Sequence, residues 1–541
     1  VHPSAHADTF ARDNLPPPDL WPDLIFDAPH LQYPERLNCA AELLDALVDR
    51  GFGDKAAIVT PARTLTYAQL RDEANRIAAV LRDDLKLVPG NRVLIRGYNE
   101  ATTVACWFAV IKAGCIVVLT MPLLRSKELC EAIERAEIGV ALCDRRLETE
   151  MNLAAERCPR LQRIVWWNDD GPDGLDALAR AKSGAFDNVD TASDDVCLIA
   201  FTSGTTGKPK GTMHFHRDVL AICDTFPPAH VQPVPSDVFC GTPPLAFTFG
   251  LGGLLLFPMR VGATAVLLES APPDALLEAI GKYGVTITFA APTAYRAMAP
   301  HVPRHDLHTL RACVSAGETL PVATRAMWKE ATGIDIIDGI GATEMLHIFI
   351  SASGDGIRPG ATGKPVPGFV ATILDDEGRE LPPGNVGRLA VKGPTGCRYL
   401  ADERQRNYVV DGWNVTGDAY LLDDDGYFWY QARTDDMIVS SGYNIAGPEV
   451  EGALLAHESV AECAVVGVPD EARGHIVKAF VVLRSGYSAS NEAVRALQDW
   501  VKAQIAPYKY PRAIEFVTQL PRTETGKLQR FKLRQPVESG R

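Results

Sequence analysis

From Ala40 onward, stretches with apolar residues at helical spacing alternate with short β-branched runs. "AAELLDALVDRG" begins the series. "KAAIVT" and "RTLTYAQL" predict strands, with Tyr67 opening a helix through "AQLRDEANRIAAVLRDDL". "RVLIRG" predicts a strand, "TTVACWFAVIKAG" a helix and "CIVVLT" a strand, and "EIGVALCD" and "RIVWW" continue the pattern. It returns in "ATAVLLE", "PPDALLEAIGKYG", "VTITFAAP" and "LRACVSAGE". Strands that alternate with helices predict mostly parallel sheets covered on both faces, hence an α/β chain. After about Gly387 the texture changes. "GRLAVKG", "GWNVTGDAYLLDDDGYFWYQAR" and "DDMIVSSG" read as antiparallel strands joined by Asp/Gly turns. A small α+β unit follows, with helix "GPEVEGALLAH", strands "VAECAVVGVP" and "IVKAFVVLR", helix "NEAVRALQDWVKAQI" and "RAIEFVTQL". This divides the chain into domains 1–434 and 435–541, with the boundary near Asp435.

Composition narrows the function classes. The 541 residues carry a net charge of −14, which disfavours nucleic acid as the main partner. The 12 cysteines form no CxxC pair and no cluster with zinc spacing, as expected in a reducing compartment. The apolar runs "CIVVLTMPLL" and "LGGLLLFPM" are short and broken by Pro or Gly, so no membrane span is expected. No basic segment followed by an apolar run opens the sequence. A soluble cytoplasmic protein is the expectation.

One stretch stands out chemically: "FTSGTTGKPKG", Phe201–Gly211. Its glycines permit a concave turn of backbone N–H groups, its hydroxyls add donors, and Lys208 and Lys210 add charge. Such a loop suits phosphate. It lacks Walker spacing, because Gly207-Lys208 is followed by Pro209 rather than Ser or Thr.

This stretch resembles the phosphate loop of the adenylate-forming superfamily, which includes acyl-CoA synthetases, adenylation domains and luciferase. Further motifs follow in that family's order: "SAGE" (Ser315–Glu318), "DGIGATE" (Asp338–Glu344), "TGD" (Thr416–Asp418), "ARTDDMIVSSGYNIAGPEVE" (Ala432–Glu451) and "PRTETGKLQR" (Pro521–Arg530). The resemblance implies a large N-terminal domain of two covered sheets plus a small β-barrel-like subdomain. A small mobile α+β C-terminal domain then carries a catalytic lysine. It also implies acyl-adenylate chemistry with ATP and Mg²⁺, and coenzyme A as the usual thiol.

Carried over by motif, Thr202, Ser203, Gly204, Thr205, Thr206, Gly207, Lys208 and Lys210 would cradle phosphates. Gly317, Glu318, Asp338, Gly339 and Ile340 would flank the nucleotide, and Asp418 and Arg433 would hold the ribose. Thr343 would meet the α-phosphate, Glu344 would hold Mg²⁺, and Lys527 would drive adenylation. Asp435 would be the hinge, and Gly442 and Tyr443 would border the CoA tunnel. Ile340 departs from the family, in which an aromatic residue is common, and Asp338 stands where an amide is frequent.

The acyl pocket would draw on Ala246, Phe247, Phe249, Gly317, Gly341 and His347. Two phenylalanines suit a flat ring. No Asp occurs in "PPLAFTFGLGG" to pair an α-ammonium group. "DGIGATEMLHIF" with "GTMHFHRDVL" resembles benzoate- and 2-aminobenzoate-CoA ligases. Short- or medium-chain fatty acids, or carrier loading, stay open as alternatives. For His347, His214 and His216, packing roles stay open beside contacts with substrate. A small aromatic carboxylate, ATP and CoA are the expected partners, and a homodimer is left open.

Overall fold

The computed structural model describes residues 2–202, 209–433, 436–440, 443–470, 474–505, 509–522 and 528–534. Residues 203–208, Asp435, Gly442 and Lys527 therefore lie outside the described residues, as does the side chain of Tyr443.

The alternating pattern folds into two sheets. One has six strands in the order Arg163–Trp167, Val140–Asp144, Arg92–Arg96, Ile116–Thr120, Val196–Thr202, Lys210–Phe215. The first five run parallel, and the last returns antiparallel, with Thr202 opposite Lys210. The other sheet has nine strands, parallel from Ile336–Gly341 across to Ala56–Val59 and antiparallel at both edges. A single apolar cluster includes residues of both sheets and of helices Tyr67–Ala79 and Ala101–Lys112. Helix Ala101–Lys112 is apolar nearly all round and buries every residue except Thr102, as a helix enclosed by core should. Helix Tyr67–Ala79 starts where the sequence places it. Thr66 accepts the Gln69 N–H, and the Gln69 side chain accepts the Thr66 N–H in return.

The antiparallel texture begins earlier than Gly387. Strand Val370–Leu374 pairs with Val386–Lys392, which pairs with Trp413–Leu422 and through it with Phe428–Arg433. Val370–Leu374 is short and only partly buried, so its alternation did not stand out from the loops around it. The strand in "DDMIVSSG", Ile438–Ser440, belongs instead to the last sheet, beside Tyr443–Ile445 and Gly474–Leu483. Helices Gly447–Leu455 and Asn491–Gln504 pack on that sheet around a separate apolar cluster. The architecture is thus α/β and multidomain, with two covered sheets, a small antiparallel sheet and a C-terminal α+β unit. No described helix is long and apolar enough to cross a membrane.

Candidate active site

The described arms of the hairpin that carries "FTSGTTGKPKG" end at Thr202 and Lys210, and the Lys210 N–H donates to Thr202 Oγ1 at 3.4 Å. Alongside the return arm runs the segment Arg398–Leu400. The Leu400 N–H donates to the Gly211 carbonyl, and the Met213 N–H to the Arg398 carbonyl, both at 2.8 Å. That pairing brings Tyr399 against Lys210. The Lys210 ammonium donates to the Tyr399 hydroxyl at 2.7 Å and lies 4.5 Å from the centre of its ring. The same hydroxyl donates to Glu344 Oε1, and Lys210 Nζ stands 3.7 Å from that oxygen. Tyr399 is itself fixed: Gln405 accepts its N–H at 2.9 Å, and its ring meets Tyr408 edge-on.

Glu344 sits in a single helical turn, Thr343–Met345, and is 7% exposed. The turn is held from three sides. His214 Nε2 lies 2.9 Å from the Thr343 carbonyl, which can only accept, so that ring nitrogen carries the proton. Thr395 donates to the Met345 carbonyl at 2.8 Å, and Tyr399 to the Glu344 carboxylate. Behind His214 lies Asp218, fully buried, whose Oδ2 accepts Arg398 at 2.7 Å and the Phe215 N–H at 3.0 Å. Burial opposes the Asp218 charge, but the Arg398 guanidinium and the His214 ring outweigh it and hold the carboxyl down to about 2.

Leu346 then reverses the chain with a φ of 67°, a conformation that costs a leucine on the order of 1 kcal/mol or more. Its full burial supports that cost and delivers His347 into an apolar box. The ring centre of His347 lies 4.5 Å from Phe257, 5.6 Å from Phe226, 5.8 Å from Phe249 and 6.5 Å from Phe289. Neither ring nitrogen makes a well-formed hydrogen bond among the described residues, although the Phe249 backbone lies against the ring as a weak polar neighbour. Burial drives the imidazole down to about 3, so it is neutral. Glycines make room on two sides. A Cβ at Gly252 would lie 2.4 Å from the His347 ring, and one at Gly341 would lie 2.8 Å from its carbonyl.

The remaining expected residues fall into three groups. Asp338, Gly339 and Ile340 lie on strand Ile336–Gly341, which leads into the Glu344 turn. Asp338 is raised to about 7 by burial, against the opposing pull of Arg325, and its Oδ1 has no partner among the described residues. Asp418 and Arg433 face each other across paired strands, and Arg433 Nη1 donates to Asp418 Oδ1 at 3.0 Å. Glu318, raised by burial against the pull of Arg522, accepts Arg522 of the C-terminal unit at 3.3 Å. Gly317 has a φ of 91°, with nothing within 4 Å of where a Cβ would stand.

Of the acyl-pocket set, Phe249, Gly341 and His347 are brought together. Phe247 and Ala246 are half-buried just before the turn Thr248–Leu251, and Phe247 makes no ring contact with His347 among the described residues. Sequence reasoning missed Tyr399, Thr395, Phe226, Phe257 and Phe289, and for His214 it left packing and substrate contact both open. None of the five missed residues lies in a motif with local spacing. Only the pairing of Arg398–Leu400 with the hairpin reveals the first of them.

The chain is similar to known proteins along most of its length. A family model for AMP-binding enzymes matches residues 47–399, and one for the AMP-binding enzyme C-terminal domain matches residues 449–527. A benzoate–CoA ligase of Thauera aromatica is 38% identical over 514 residues, covering 94% of this chain and 97% of its own. A 4-hydroxybenzoate–CoA/benzoate–CoA ligase of Rhodopseudomonas palustris is 32% identical, covering 93% and 95%. The crystal structure of the anthranilate CoA ligase AuaEII with anthranoyl-AMP superposes at a TM-score of 0.89 and 36% identity, covering 94% of this chain and 98% of its own.

Proposed function

The chain belongs to the AMP-binding enzyme family, and from that premise we propose that it is an ATP-dependent aromatic acid–CoA ligase. A benzoate-type acid, with 2-aminobenzoate in the class, attacks the α-phosphorus of ATP and releases pyrophosphate. The thiol of coenzyme A then displaces AMP from the acyl-adenylate to give the thioester. The observation that carries the aromatic reading is the box of Phe226, Phe249, Phe257 and Phe289 around a neutral His347, three residues beyond Glu344. Such walls offer a flat ring offset or edge contacts. The imidazole, with the Phe249 backbone as its weak polar neighbour, offers its other ring nitrogen to a substituent beside the carboxylate. The similarity to benzoate and anthranilate CoA ligases supports the same reading.

The first half-reaction crowds negative charge, so fixed cations and donors do most of the work. In this reading Lys210, with Lys208 and the hydroxyls of residues 202–206, steadies the phosphates, and Lys527 bridges carboxylate and phosphate oxygens. Thr343 donates to the α-phosphate. Asp418, with one oxygen committed to Arg433, accepts from the ribose, and Asp338 accepts from the adenine amino group. Glu344 fits Mg²⁺: it is a buried anionic oxygen donor, already oriented by a phenol and backed by an ammonium. When bound there, Mg²⁺ would neutralise phosphate charge. Residues 435–541 form the moving domain, with Asp435 as its hinge and Gly442 and Tyr443 beside the pantetheine path.

The test is pyrophosphate release with ATP and Mg²⁺ across benzoate, 2-aminobenzoate, 2-hydroxybenzoate, hexanoate and phenylalanine, with and without CoA. The expected outcome is turnover on the benzoates that requires CoA. Preference for hexanoate would overturn the aromatic reading, and activation of phenylalanine without CoA would overturn the ligase reading.

A further inference from the structure

Outside this site, three buried side chains meet at the foot of the phosphate hairpin. Cys39 precedes the turn Ala41–Asp45, Cys197 is the second residue of strand Val196–Thr202, and His216 opens helix His216–Phe226. Both cysteines have 0% exposure and His216 has 1%. The two sulfurs and one imidazole nitrogen all lie within 4.8 Å of one another. His216 Nδ1 is 3.3 Å from Cys39 Sγ and accepts the Cys39 N–H at 3.2 Å. A backbone N–H can only donate, so Nδ1 is the unprotonated nitrogen and faces the thiol as an acceptor.

Two sulfurs and an imidazole could serve a soft metal ion or thiol oxidation, and the geometry favours the second. Zinc takes four donors, and among the described residues no other Cys, His, Asp or Glu joins this group. The nitrogen a metal would need already holds a backbone N–H. We propose that Cys39 and Cys197 are an oxidisable pair, with His216 as base, that closes to a disulfide under a peroxide oxidant. The Cys39 proton passes to His216 Nδ1, and the thiolate attacks a peroxide oxygen. The O–O bond breaks, the hydroxide takes the proton from His216 and leaves as water, and Cys39 becomes a sulfenic acid. The Cys197 sulfur then attacks the Cys39 sulfur. The S–S bond forms, the S–O bond breaks, and the Cys197 proton leaves with the hydroxide as a second water. Two thiols are oxidised and one peroxide is reduced.

A second pair, Cys130 and Cys158, provides an internal contrast. Cys130 is the more exposed, yet burial, the neighbouring Cys130 sulfur and Glu134 push Cys158 up to about 12. At Cys39 burial opposes ionisation, but the Cys197 hydrogen bond and His216 outweigh it and bring the thiol down to about 6. Thiolates, not thiols, attack peroxide. With an imidazole nitrogen 3.3 Å from its attacking sulfur, the buried pair is the one expected to oxidise first, against the order of accessibility.

The experiment exposes the full-length protein to hydrogen peroxide, alkylates it without reduction and maps its peptides. The expected product is a Cys39–Cys197 linked peptide, with two hydrogens lost from the intact mass. In Cys197→Ala, Cys39 should instead be trapped as a sulfenic acid by dimedone, and His216→Asn should slow cross-linking by on the order of tenfold. Appearance of a Cys130–Cys158 link first, or a Cys39 that stays reduced, would overturn the proposal. So would stoichiometric zinc uptake by the reduced protein that Cys39→Ala abolishes. If a variant fails to fold, the wild-type peptide map alone decides.

Discussion

Asp218 and Asp338 are both buried carboxylates, at 0% and 9% exposure, and their surroundings move them in opposite directions. Asp218 keeps its charge because the fully buried Arg398 is committed to it and the Phe215 N–H adds a second bond. Asp338 has Arg325 as its neighbouring cation, but Arg325 spends its described bonds on Asp335 and the Ile336 carbonyl. Depth alone therefore does not set the protonation of a buried acid. What matters is whether its counter-charge is already engaged. Asp218 belongs to a scaffold that supports His214 and hence the Thr343 turn. Asp338 keeps one oxygen, Oδ1, without a donor among the described residues, and in the proposed reading the adenine amino group supplies one.

Removing the partner of Asp218 should have the largest effect. Arg398→Met leaves a buried carboxylate unpaired and should cost about 3–5 kcal/mol, read as a loss of denaturant midpoint at pH 7. A loss under about 1 kcal/mol, the range of an exposed pair, would make the ion pair incidental. Next comes the pH dependence of Asp338. Its folded value, about 7, lies above the ordinary 3.8, so its neutral form favours folding below about pH 4 and that contribution is lost as pH rises through 7. A rise of that size corresponds to at most about 4 kcal/mol. Asp338→Asn should therefore flatten the fall in melting temperature between pH 5 and pH 8 and raise it at pH 8. An unchanged slope would mean that Asp338 is ionised in the fold. The smallest effect expected is at Tyr399, which carries the anchoring logic into the site. Tyr399→Phe removes one hydroxyl between Lys210 and Glu344 and should cost roughly tenfold, about 1.4 kcal/mol, in kcat/KM for Mg·ATP. Equilibrium binding of Mn²⁺ should weaken in parallel, with little change in KM for the acid. An unaltered metal affinity would remove Tyr399 from this role.

Much of this was legible from the chain because it is local. Helical and strand periods identified the parallel sheets and placed the helix that Tyr67 opens. The Gly-rich stretch and the motifs around Glu344 and Asp418 pointed to nucleotide chemistry. The anchors were not legible because they are distant. His214 reaches Thr343 across 129 positions, and Tyr399 reaches Glu344 across 55. No spacing rule covers such pairs, and a lone tyrosine in "CRYL" carries no sign of its partners. The box around His347 was half legible for the same reason. Phe249 lies near a motif, whereas Phe226, Phe257 and Phe289 come from elements that read simply as core.

The stitching of Arg398–Leu400 to the hairpin has a consequence for anyone who recombines this protein. Glu344 depends on Tyr399, and Tyr399 depends on Gln405 and on the strand Lys210–Phe215. A chimera joined between residues 344 and 399 would take its acid from one parent and the anchor from another, even with every recognisable motif intact. Segments can be exchanged with the site preserved only where the junction leaves both ends of these long bonds in the same parent.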